Sequence, residues 1–209
     1  MCDQALYAKV TEIVWKHSLQ SVVPMMGNFH TVCNFTSSIG KLFGDAGLRD
    51  LAVESDVIAE GSVNKILEGK HYNRAVRLHK LVYEALMRLV WKSFVDYLKD
   101  TQCGDDTMML RNYRDNLYKL HGSSSHQTLE KALQDESYLK VMQMFTDYKD
   151  NLSTNKGPLA AFWMTYIDMV ELLLDLIRAD REGDWQLHLA SIQGVIPWCF
   201  AMDKTNYAR

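Results

Sequence analysis

The sequence predicts a mainly α chain, an irregular helical domain with at most one or two short strands near its N-terminus. Three observations predict it. Only three prolines, Pro24, Pro158 and Pro197, interrupt 209 residues. Long stretches repeat apolar residues at the three- and four-residue spacing of a helix. One run alone, "SVVPMM", is short and β-branched like a strand, and Pro24 restricts it to an edge.

The elements follow in order. Leu6, Val10, Ile13 and Val14 give helical spacing from Gln4 to His17, and Asp3 stands where it could cap that helix by accepting backbone N–H groups. After "SVVPMM" and "GNFH", helical patterning returns from Thr31 to Phe43, where Gly40 and Gly44 would let another backbone approach closely. "GDAGLRD" reads as a turn and a short helix, and "GSVNKILEGK" as a brief helix with Ser62 at its cap. The longest helix runs from His71 to about Lys99, with Leu78, Val82, Ala85, Leu86 and Leu89 on one side. "TQCGDD" breaks the pattern, and "MMLRNYRDNLYKL" resumes it. "HGSSSHQ" has the composition of a linker, so residues 1–122 and 123–209 form two regions that can pack as one domain. A helix over Gln127–Lys149, a second linker "NLSTNKGP", an apolar helix from Pro158 to about Ala179 and a short helix "WQLHLASIQ" before "GVIPWCF" complete the chain.

Composition bounds the function. With 47% apolar and 23% charged residues, the chain can bury a core and is unlike a disordered one. A net charge of -3 supplies no global pull toward nucleic acid, so any basic surface must be local. Cys2, Cys33, Cys103 and Cys199 are scattered without a C-x-x-C pair, which suggests reduced thiols and an intracellular, cytoplasmic or nuclear location. The N-terminal stretch "MCDQALYAKV" lacks the apolar core of a signal peptide. Asp168, Glu171 and Asp175 interrupt the most apolar segment, which argues against a membrane span.

Three constellations could carry chemistry. Lys70, Arg74, Arg77, Arg88 and Lys92 fall on one side of the long helix, as contacts to phosphate require, with His71, Tyr72 and Asn73 beside them as stacking and hydrogen-bonding groups. Glu84 interrupts the row and can pair with Arg77, Lys80 or Arg88, so a solvated, internally paired face is the plainer reading. Asp168, Glu171 and Asp175 share one helical face and could hold a divalent metal; facing water, or pairing with Arg178 and the basic row, is the plainer reading. His30 and Asn34, with Cys33 between, lack the further ligands of a metal site and read as structural residues at a strand–helix junction. No phosphate loop, dinucleotide fingerprint or nucleophile motif occurs.

The runs "DQALYAKVTEIVWKH", "GNFHTVCNF", "SIGKLFGDAGLRDLAVESDVIAEGSVNKILEGKHYNRAVRLHKLVYEALMRLVW" and "GPLAAFWMTYIDMVELLLDLIRADREGDWQLHLASIQGVIPWCFAMDKTNYAR" resemble a group of uncharacterised, multicopy invertebrate proteins that look mobile-element-encoded. This resemblance covers nearly the whole chain. More distantly, the order of Asp3, a helix, "SVVPMM" and "GNFH" resembles transposases with an RNase H-like core followed by a helical insertion. That resemblance implies a remnant edge of such a core. It would make Asp3 a metal-binding catalytic acid and His30 a structural histidine. No cysteine precedes His30 at the matching place, and the strand and acid expected before Asp3 are missing, as is the triad's last acid. The expectation is therefore a non-catalytic, helix-rich fragment of a transposase-like protein, with weak, non-specific DNA binding and no membrane contact. A DNA strand-transfer enzyme needing Mg²⁺ or Mn²⁺, with Asp3, Asp168, Glu171 and Asp175 as candidate ligands, and a helical protein–protein interaction module are the alternatives.

Overall fold

The computed structural model describes residues 4–25, 27–100, 104–121, 131 and 133–204, and among them every regular element is helical. The helices are α1 (Gln4–Lys16), α2 (Asn28–Phe43), α3 (Leu48–Glu54), α4 (Glu60–Leu67), α5 (Tyr72–Asp100), α6 (Gly104–His121), α7 (Glu136–Asn155), α8 (Pro158–Glu182) and α9 (Trp185–Ala201), with a 3₁₀ turn at Gly44–Ala46. Two compact units form. The first is Met1–Tyr83 with Tyr166–Arg209, and the second is Glu84–Thr165. The divisions fall inside α5 and α8.

In the first unit, α2 buries Val32, Phe35, Ile39 and Phe43 along one stripe. The later part of α8 supplies Tyr166, Ile167, Met169, Val170, Leu173 and Leu176, all essentially without solvent contact. Phe43 meets Tyr166 edge to face at 5.0 Å between ring centroids. Gly40 permits the close packing of α2 on the end of α4: a Cβ there would collide with the Leu67 carbonyl. Helix α4 ends in a Schellman motif. Gly69, at φ +73°, donates its N–H to the Ile66 carbonyl at 3.0 Å, and Lys70 donates to Lys65 at 3.0 Å.

The second unit is built on aromatic packing. Phe94 and Leu98 of α5 and Val141, Phe145 and Tyr148 of α7 form its buried cluster, with Trp91, Leu110 and Tyr113 against it. Asp135 caps α7, accepting from the N–H groups of Ser137 and Tyr138 at 3.0 and 3.3 Å.

Several local expectations are corrected. Residues 22–25 and 27 of the expected strand and its flank form no strand; Pro24 lacks a donor and no neighbouring segment pairs there among the described residues. Without that strand, nothing in these residues represents the edge of an RNase H-like core. Helix α2 begins at Asn28, three residues before the expected start. Ser62 lies inside α4 and does not cap it; Ala59 occupies the cap position. Residues 131 and 133 are helical, the expected helix is interrupted at residues 134–135, α7 begins at Glu136, and "NLST" extends it to Asn155. The Ser153 and Thr154 hydroxyls donate back to the carbonyls of Lys149 and Asp150, so inside the helix they are satisfied four residues upstream. Pro197 lies within α9, not beyond it. Its ring costs one hydrogen bond, but burial of Val195 and Cys199 on either side holds the helix together. On α5, Leu78 and Val82 are buried as expected, whereas Leu89 is 63% exposed. The linker "HGSSSHQ" lies outside the described residues apart from His121. Among the described residues no helix is long and apolar enough to cross a membrane.

Candidate nucleic-acid interface

Helix α2 opens with "NFH", and its first residue is the one tied into the fold. Asn28 is buried, and its Nδ2 donates to the Leu176 carbonyl of α8 at 3.0 Å. Its Oδ1 is buried with no hydrogen-bond partner among the described residues. Phe29 is exposed yet packs on Tyr72 at 5.2 Å and against His30 at 5.6 Å. His30 is exposed; its carbonyl accepts from Asn34 Nδ2 at 3.0 Å, the ordinary back-bond of a helical asparagine. Cys33 is half-buried, and burial raises its thiol above the ordinary range. Its carbonyl lies under Gly69, where any side chain would strike it. The segment joins α2 to α8 and to the start of α5. Asp3 lies outside the described residues.

The basic residues divide between the units. In the first, Arg74 and Arg77 lie three residues apart on one face of α5, both exposed, and neither has an acid partner among the described residues. Lys70 precedes α5 and does not continue its row; it is held to Glu68 as the last residue of the Schellman turn. Tyr72 does not join the arginine face. Two residues along a helix is about 200° around it, and Tyr72 is committed to Phe29. In the second unit, Arg88 pairs with Glu84 at 2.7 Å, and Lys92 is exposed.

Glu171 accepts from the Tyr83 hydroxyl at 3.0 Å. Burial raises the Tyr83 phenol far above its ordinary pKa, and the carboxylates of Glu171, Asp175 and Asp168 raise it further, so it stays a donor. Arg178 pairs with Glu182 at 3.0 Å, and Asp175 also acts on it electrostatically. Among the described residues no three His, Cys, Asp or Glu side chains gather in a way that could hold a metal ion.

One polar pair escaped sequence reasoning altogether. His79 of α5 and Tyr166 of α8 are both fully buried, and His79 Nδ1 lies 2.9 Å from the Tyr166 hydroxyl. Burial lowers the imidazole to about 4, so it is neutral at physiological pH, and raises the phenol. No motif marks such a pair, since 87 residues separate its members.

This chain belongs to the family described as a domain of unknown function (DUF8702), whose model matches residues 1–209. Nothing among curated proteins or solved structures matches it.

Proposed function

We propose that the chain is a non-catalytic, helix-rich protein of a transposase-like mobile element, and that it contacts the nucleic-acid backbone weakly and without sequence preference. The supporting observation is the pair Arg74 and Arg77: two exposed guanidinium groups on one helical face, unpaired among the described residues, in a chain of net charge -3. Exposed cations that are not consumed by internal ion pairs are what phosphate contacts need. Such contacts position a duplex and do not read it, because they touch no base edge. The resemblance to mobile-element proteins supplies the context.

Titrating a labelled duplex at low salt with the parent protein and with Arg74→Glu/Arg77→Glu tests the reading. Binding by the parent and its loss in the folded double variant are expected. Equal binding by both overturns the assignment of the site. Nicking of supercoiled DNA that depends on Mg²⁺ or Mn²⁺ and disappears in Asp3→Ala overturns the non-catalytic reading.

A second reading, a helical protein–protein interaction module, draws on α9. No acidic or basic side chain other than His188 occurs from Trp185 to Ala201, and Trp185, Leu189 and Phe200 are exposed. A helix apolar around its whole circumference normally finds cover on every side.

A further inference from the structure

In the second unit, α5 and α6 flank a cleft of about 450 Å³. Its walls are Trp91 and Val95 from α5 with Leu110 and Tyr113 from α6. The Trp91 and Tyr113 rings lie 5.8 Å apart and tilted by 38°, which makes this side of the cleft aromatic. Three cations, Lys99, Arg111 and Arg114, stand at its margin. Lys99 is bound to Asp96 at 2.9 Å and Arg114 to Asp115 at 2.9 Å. Arg111 is exposed and has no acid partner among the described residues. Among the described residues, three positive charges against two negative ones leave one positive charge uncompensated. Small-molecule sites combine this size, apolar lining and few polar groups.

We propose that this cleft binds a small amphipathic monoanion, an aryl or alkyl carboxylate or sulfonate, with its apolar body on Trp91 and Tyr113 and its anionic head on Arg111. The charge balance selects the class. A neutral apolar ligand would leave Arg111 unanswered, and a cation would be repelled by it. A dianion would exceed the single free charge, because Lys99 and Arg114 already hold acids. The Tyr113 phenol, raised by burial, keeps its proton at neutral pH and adds an O–H donor to the lining of the cleft.

The test uses 8-anilinonaphthalene-1-sulfonate as the anionic probe and N-phenyl-1-naphthylamine as its uncharged counterpart, both followed by fluorescence on the full chain. The expected result is saturable binding of one sulfonate, weakened about tenfold by Arg111→Glu and largely kept in Arg111→Lys, with the uncharged probe unaffected. Arg111→Gln replaces the glutamate variant if circular dichroism shows the latter unfolded. The proposal is overturned by an absence of saturable binding, by sulfonate affinity that ignores the charge at position 111, or by parallel loss of both probes.

Discussion

His79 Nδ1 lies 2.9 Å from the Tyr166 hydroxyl, with both side chains at 0% exposure, and this pair makes the first unit sensitive to acid. Among the described residues the other ring nitrogen, Nε2, has no partner, so a second proton would place an unshared charge in the core. The folded-state value is about 4 and that of an unfolded chain 6.5. The unfolded state therefore binds more protons between those values. Stability from this group is whole above about pH 6.5, falls as the pH drops toward about 4, and levels off below. The full loss is on the order of 3 kcal/mol. Thermal midpoints from pH 7.5 to 4.5 should fall more steeply in the parent than in His79→Gln, and equal slopes would refute the assignment.

Asn28, and not His30, should carry the stability of the "GNFH" segment. Asn28→Ala removes the buried hydrogen bond from this side chain to the Leu176 carbonyl of α8. A loss of about 1–3 kcal/mol is expected. His30→Ala changes an exposed ring and should stay within about 0.5 kcal/mol of the parent. Urea denaturation of the two variants checks the order, which reverses if the histidine is the structural residue.

Two glycines should respond oppositely to one added methyl group. At Gly40 a Cβ would overlap the Leu67 carbonyl, which is backbone and cannot swing aside. Gly40→Ala should cost more than about 2 kcal/mol. Gly61 lies in α4 with open space around it, and Gly61→Ala should gain about 0.5–1 kcal/mol from helix propensity alone. Denaturation midpoints moving in the same direction would contradict the packing of α2 on α4.

What the sequence made legible was periodic and local. The expected helix His71–Lys99 differs by one residue at each end from Tyr72–Asp100, because 29 residues of amphipathic pattern leave little choice. Gly40 marked a close backbone approach as expected, whereas Gly44 meets only the Leu67 side chain at ordinary contact distance. Local signals failed where distant packing decided. "SVVPMM" has strand composition, but a strand needs a partner and none of the described segments offers one. Pro197 suggests a helix end, yet α9 passes through it because its neighbours are buried. The site residues were least legible. Asn28 acquires its role from a carbonyl 148 residues away. Tyr72 was grouped with Arg74 by adjacency in sequence, and the helical turn separates them.

The salt dependence of DNA binding tests the arginine pair most sharply. Each neutralised phosphate releases condensed counterions, so the logarithm of affinity falls by about 0.9 per contact for each logarithm of salt. Two contacts give a slope near −2, or about a twentyfold loss between roughly 20 and 100 mM salt. Replacing either Arg74 or Arg77 alone with Ala should reduce the slope by about 1, uniformly across unrelated duplex sequences. Neither substitution should move the thermal midpoint appreciably, since both side chains are exposed and unpaired among the described residues. The rival account holds that these arginines pair internally with Asp168, Glu171 and Asp175. It predicts no binding by the parent and a large loss of stability in the double variant. The Tyr83 hydroxyl already donates to Glu171, one of the three acids of that scheme. Anisotropy titrations at four salt concentrations, with thermal melts of the same samples, decide between the two accounts. A parent slope near zero would remove Arg74 and Arg77 from any phosphate contact.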